Sequence, residues 1–172
     1  MFLNYLKDFS TKKIVKNSLS NVKHLASDSA IKTVGIIFDE TYFYEREALV
    51  QELIKKGIAE NDIKVLVFKN KIKKNEVFDY PIFSQKDLSW RGTVDKKEVK
   101  DFIKEPFDLL INYYDTEKVA LLLVSHQSKA GFKVGFTSID KRLNHFMINT
   151  NAENFKVFMD ELFKYLKILN KI

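Results

Sequence analysis

Two carboxylates, Asp39 and Glu40, stand at the end of the apolar run 34–38, and a third, Asp115, follows the apolar run 109–113. Acids gathered in this way can hold Mg²⁺, a hard cation that takes oxygen ligands, and a metal so held can serve phosphoryl or glycosyl transfer. Asp39, Glu40 and Asp115 are therefore the metal candidates, should the chain bind one, and a small metal-dependent enzyme is one reading. The same side chains would also serve as helix N-caps, accepting from unpaired backbone N–H groups. The polar group Asn112, Tyr113, Tyr114 and Asp115 offers amide, phenol and carboxylate groups to a ligand. A Trp and an Arg on one loop, Trp90 and Arg91 in SWRG, could stack on and pair with an anionic ligand.

Phosphoacceptor receiver domains also place acids after a first strand, an Asp after a third, a Thr after a fourth and a Lys after a fifth. The analogues would be Asp39, Glu40, Asp115 and Thr137. The likeness fails at the end of the chain, where the last apolar run closes on Asn149 and Thr150 without a lysine, and no helix fits between Thr137 and His145.

Several chemistries lack their residues. The turn after the first apolar run reads FDETYFYER, with no glycine to bring a pyrophosphate onto the backbone and two acids where phosphate would sit. This argues against an NAD or FAD site. GxxxxGK[ST] and GxSxG are both absent, so neither a P-loop nor that nucleophile elbow is present. The chain has no cysteine, and its histidines, His24, His126 and His145, are scattered. No zinc cluster is expected, and no cofactor is assigned.

The net charge of +6 is unevenly spread: residues 1–30 hold five Lys against two acids, residues 31–115 hold 15 basic against 16 acidic, and residues 116–172 hold nine against five. A local cluster, Lys69, Lys71, Lys73 and Lys74, reads as a solvated loop. With only Arg46, Arg91 and Arg142 the arginine content is low for a nucleic-acid surface, and no nucleic-acid partner is expected. No apolar run is long enough for a transmembrane helix and the first residues do not resemble a signal peptide, so the expectation is a soluble cytoplasmic protein.

The elements that must position these residues follow from periodicity. Residues 1–25 carry an amphipathic helical stripe, Phe2, Leu3, Leu6 and Phe9, then Ile14, Val15, Leu19 and Val22. It suits an arm folded on the domain or on a second copy, with weak contact to a membrane surface as the alternative. Residues 26–30 link it to a single domain over 31–172. There, strands are expected at 34–38, 63–68, 79–83, 109–113, 132–136 and 145–149. Pro81 suits the third of these to a sheet edge. Helices are expected at about 44–56, ending before Gly57, at about 96–104, between the runs 109–113 and 132–136, and after Thr150. Asp95 with Glu98 and Thr150 with Glu153 have the spacing of capping boxes. Alternating strands and helices predict a three-layer α/β/α sandwich, a Rossmann-like, mostly parallel sheet of five to six strands with an N-terminal helical arm.

The segments IIFDE, KDLSWRG, FDLLINYYD followed by FKVGF, and ELFKYLKIL together resemble a small bacterial family of single-domain proteins known only as a domain of unknown function. That resemblance implies the fold and no activity. FDLLIN, the following helix and AGFKVGF are more weakly similar to the N-terminal half of heptosyltransferase-like glycosyltransferases, which use a second domain for the nucleotide sugar; this chain lacks the length for one. The favoured reading is a non-catalytic interaction module. It would bind a protein or small-molecule partner at the sheet edge, with a second copy of the chain as a further candidate partner.

Overall fold

The computed structural model describes residues 9, 12, 13, 15–17, 29–73, 75–89 and 91–172. The central strands form where the sequence is continuously apolar, because both of their faces are covered. β1 (Val34–Asp39), β4 (Leu109–Tyr113) and β5 (Phe132–Phe136) are buried along their whole length. β2 (Ile63–Phe68) is buried only in its second half, β3 is the two residues Ile82–Phe83, and β6 is Phe146–Ile148. Together they make one six-stranded sheet in the order β3-β2-β1-β4-β5-β6, with every neighbouring pair parallel.

Among the described residues four complete helices cover this sheet. α1 (Arg46–Lys55) follows β1, α2 (Lys97–Lys104) precedes β4, α3 (Val119–Gln127) joins β4 to β5, and α4 (Phe155–Ile168) closes the chain. α1 packs with α4, and α2 with α3, on the two faces. This is the three-layer, Rossmann-like arrangement expected. α3 buries every residue from Val119 to Ser125 and so is apolar all round, whereas α2 buries only Val99 and Phe102. α1 stops where Gly57 adopts a φ of 101°, a backbone conformation that a Cβ disfavours. Gly35 is required for a different reason: a Cβ there would lie 2.6 Å from the ring of Phe107.

Both expected capping boxes are absent. The N-cap of α2 is Lys96 and that of α4 is Asn154, and neither uses its side chain. Asp95 instead pairs with Lys100 at 3.2 Å, and Asn151 accepts from the backbone of Asn154 at 3.2 Å. The box that does form is Ser84 with Asp87, around a 3₁₀ turn at Gln85–Asp87. No helix separates β5 from β6; Ile139 and Leu143 anchor that connection in the core.

The described residues of the arm are helical and return to the domain, with Val15 buried in the core. Most of the stripe expected over residues 1–25 lies outside the described residues, as do Lys74 and Trp90. Among the described residues no helix is long and apolar enough to cross a membrane.

Candidate functional site at the carboxyl edge of the sheet

From β1 the chain winds outward through β2 and β3, then crosses back to continue through β4, β5 and β6. Strand order therefore reverses between β1 and β4, and a crevice forms beyond their carboxyl ends. Register brings the two tips level, since Phe38 lies opposite Tyr113.

Asp39 sits at this point, almost fully buried, and both of its oxygens are used. Oδ1 accepts from the backbone N–H of Thr41 at 3.0 Å and from the Thr41 hydroxyl. Oδ2 receives the ammonium of Lys118, which reaches across from the loop entering α3 and also lies 2.7 Å from Thr41 Oγ1. Lys118 is only 15% exposed, flanked by the ring of Phe68 at 5.0 Å and of Tyr42 at 5.3 Å. Asp39 at the tip of β1, with Thr41 and Lys118 from two loops, thus closes the gap between β1 and β4. Beside them lies a cavity of about 290 Å³ lined by Phe68, Asn70, Gln85, Glu117, Lys118 and Val119.

The other strand-end acids turn to separate partners. Glu40 pairs with Lys69 at 2.8 Å and accepts from the Tyr80 hydroxyl at 3.3 Å. Burial works against the Lys69 ammonium, but its hydrogen bonds to Glu40 and Glu76 and the Glu40 charge outweigh it and hold its pKa above the ordinary lysine value. Asp115 accepts from the backbone of Ala152 at 2.9 Å. Neither Asp39 nor Asp115 caps a helix: the N-caps of α1 and α3 are Glu45 and Lys118. Among the described residues no group of three or more His, Asp or Glu side chains is arranged to hold a metal ion.

Asn112, Tyr113 and Tyr114 are not displayed at the edge but buried. Asn112 donates to Asn144 at 2.7 Å and accepts from Ser125 at 2.7 Å. The Tyr114 hydroxyl lies 2.7 Å from Ser125 Oγ, and that of Tyr113 donates to the carbonyl of Ala152 at 2.7 Å. Burial raises the pKa of both phenols well above the ordinary tyrosine value. Thr137 is exposed and donates to Asn149 at 3.2 Å. Arg91 is exposed on the tight turn before Gly92, and its backbone N–H bonds Ser89 Oγ at 3.2 Å. His145 accepts from the backbone of Lys133 at 2.8 Å and stacks on Phe132, a structural histidine.

The sequence profile of DUF6913, a family of unknown function, matches residues 7–169. The chain belongs to that family. No curated protein matches it, and no solved structure does. The stretch that DUF6913 covers takes in all six strands and the described part of the arm, whose Lys12 and Lys16 lie 3.3 and 3.6 Å from Glu117 on the crevice loop.

In this DUF6913 chain sequence reasoning missed Lys118, the residue that completes the cluster at the crevice. The signal was its position: it is the only cation in the loop between the strand 109–113 and the helix that follows, and such a loop ends at the carboxyl edge.

Proposed function

We propose that this chain is a non-catalytic binding module whose ligand, a small polar molecule or a side chain of a partner protein, lodges at the carboxyl edge beside Lys118. The observation that carries this reading is the closure of Asp39 by Thr41 and Lys118. In a dinucleotide-binding sheet of the same strand order, the first loop turns backbone N–H groups toward a pyrophosphate. Here that loop gives the Thr41 N–H to Asp39 instead. The other charges of the crevice are likewise matched, Glu40 with Lys69 and Glu117 with Lys12 and Lys16. Carboxylates whose oxygens are already taken by charge-assisted hydrogen bonds inside the chain are not presented to a substrate, which favours recognition over acid–base chemistry. Around the pairs stand the exposed ring of Tyr42 and the amides of Asn70 and Gln85, suited to stacking and hydrogen bonding. We place such a module in the cytoplasm, because the chain has no cysteine from which to build the disulfides common in small secreted domains.

The test is a thermal-shift screen of the full chain against nucleotides, nucleotide sugars, small organic acids and Mg²⁺. The reading expects a compound that raises the melting temperature, is recovered unchanged after incubation, and loses its effect in Lys118→Met. Recovery of a converted product would replace the binding module with an enzyme. A stabilisation by Mg²⁺ alone that disappears in Asp39→Asn would point the same way.

A further inference from the structure

Pro81 ends β3 in a way that leaves part of β2 uncovered. The ladder between these strands runs from Val67 N–H to the Pro81 carbonyl at 3.0 Å and from Lys69 N–H to the Phe83 carbonyl at 2.9 Å, so odd-numbered residues of β2 face β3. The next bond in register would bring an N–H of residue 81 to the carbonyl of Val65, and proline has none. β3 is accordingly two residues long beside a six-residue β2. The N–H and carbonyl of Val65 are left pointing along an open sheet edge.

A groove of about 460 Å³ follows that edge. Its floor is apolar, built from Ile63, Val65, Pro81 and Phe102. Its rim carries Asp79 and, from α2, Glu98 and Asp101, all exposed and none in an ion pair among the described residues. Arg46 closes one end, its guanidinium 3.6 Å from the centre of the Tyr80 ring, and its Nη1 is buried without a hydrogen-bond partner. No residue lines both this groove and the cavity beside Lys118.

We propose that an extended segment of a partner protein, bearing lysine or arginine at alternate positions, docks in this groove as an added strand beside β2. Three features of the groove fit a peptide of that kind. The Val65 backbone supplies the donor and acceptor that strand addition uses. Arg46 Nη1 lacks an acceptor, which a peptide carbonyl provides. Side chains of an extended segment alternate, so one set meets the apolar floor while the other reaches the carboxylates of Glu98 and Asp101. The acidic rim also disfavours edge-to-edge pairing of two copies, which would set Asp79, Glu98 and Asp101 of one rim against the same carboxylates of the other.

The experiment is an amide-resolved NMR titration of the full chain with a capped Lys-Val-Lys-Val-Lys peptide and with its Glu-Val-Glu-Val-Glu counterpart. The lysine peptide is expected to give saturable shifts at the amides of Ile63 and Val65. Its affinity should fall by about tenfold in the Glu98→Lys, Asp101→Lys double variant, whose substitutions are solvent-facing and preserve the rest of the spectrum. Lys118→Met should bind it as the wild type does, which separates this groove from the crevice. Equal shifts from the glutamate peptide, shifts centred on Lys118, or no shifts with the lysine peptide would each overturn the proposal.

Discussion

The ammonium of Lys133, the second residue of β5, donates to the backbone carbonyl of Ser125 at 2.8 Å, in the last turn of α3. A cation is favoured at a helix C-terminus, yet this one is only 8% exposed, and burial pulls its pKa down to about 8 from an ordinary 10.5. Below pH 8 both folded and unfolded chains hold this proton, and pH has no effect through it. Between there and 10.5 the unfolded chain binds more protons than the folded one, so stability rises with pH. Tyr113 and Tyr114 act in the opposite sense: with their pKa raised by burial, the unfolded chain ionises first above pH 10.0, and stability falls. Urea unfolding followed across alkaline pH should therefore show a rise and then a decline. Lys133→Met should abolish the rise and keep the decline; a wild-type curve with no rise would contradict the assignment.

The link between Asp39 and Lys118 lends itself to a double-mutant cycle. Removing one partner leaves the other charge in a nearly closed site, which typically costs about 3 kcal/mol. Lys118→Met and Asp39→Asn should each lower the unfolding free energy measured in urea by an amount of that order. The double variant should recover much of the loss, because no uncompensated charge remains. Strict additivity of the two losses would show that the pair is not a unit.

Close packing at Gly35 gives a steric prediction. An alanine Cβ would meet the Phe107 ring at 2.6 Å, inside any real contact. Overpacking of this kind costs about 1–3 kcal/mol. Gly35→Ala should be destabilised to that degree in denaturant unfolding, and adding Phe107→Leu, which withdraws the ring, should return part of it. An unchanged midpoint for Gly35→Ala would mean that Phe107 yields freely.

How much of this was readable in the sequence depends on the range of the interaction concerned. Strands such as residues 109–113 announce themselves as continuous apolar runs, because a central parallel strand is covered on both faces. The acids at the strand ends were legible too, since the carboxyl edge is where polar residues interrupt those runs. The partner of Asp39 was not, because Lys118 is 79 positions away and is brought near only by the β1–β4 register. Asn112, Tyr113 and Tyr114 misled for a related reason. Polar atoms in a central strand can be satisfied inside, here by Ser125, Asn144 and Ala152, so their type alone did not say which way they turned. The shortness of β3 was half legible: Pro81 marked an edge strand, but only the register shows that it falls where a donor was needed.

The final prediction concerns the arm. Arg142 holds Asp140 through its Nε at 2.9 Å and Nη2 at 2.6 Å, while its Nη1 donates to the backbone carbonyl of Lys16 at 3.1 Å. The guanidinium hydrogen bonds outweigh burial and hold the Asp140 carboxyl at about 2, below its ordinary 3.8. A carboxylate with a lowered folded pKa contributes stability that is complete above 3.8 and fades as pH falls toward 2, roughly 2 kcal/mol at most. Arg142→Ala should thus raise the pH of acid unfolding and also release the arm, seen as faster amide exchange at Val15 and Lys16. The pairs of Lys12 and Lys16 with Glu117 are partly exposed and worth little, on the order of 0–1 kcal/mol, so Lys12→Ala with Lys16→Ala should leave exchange nearly unchanged. The two variants separate a backbone latch from a surface charge effect: if the lysine variant frees the arm as fully as Arg142→Ala does, charge and not the Arg142 hydrogen bond holds it against the crevice loop.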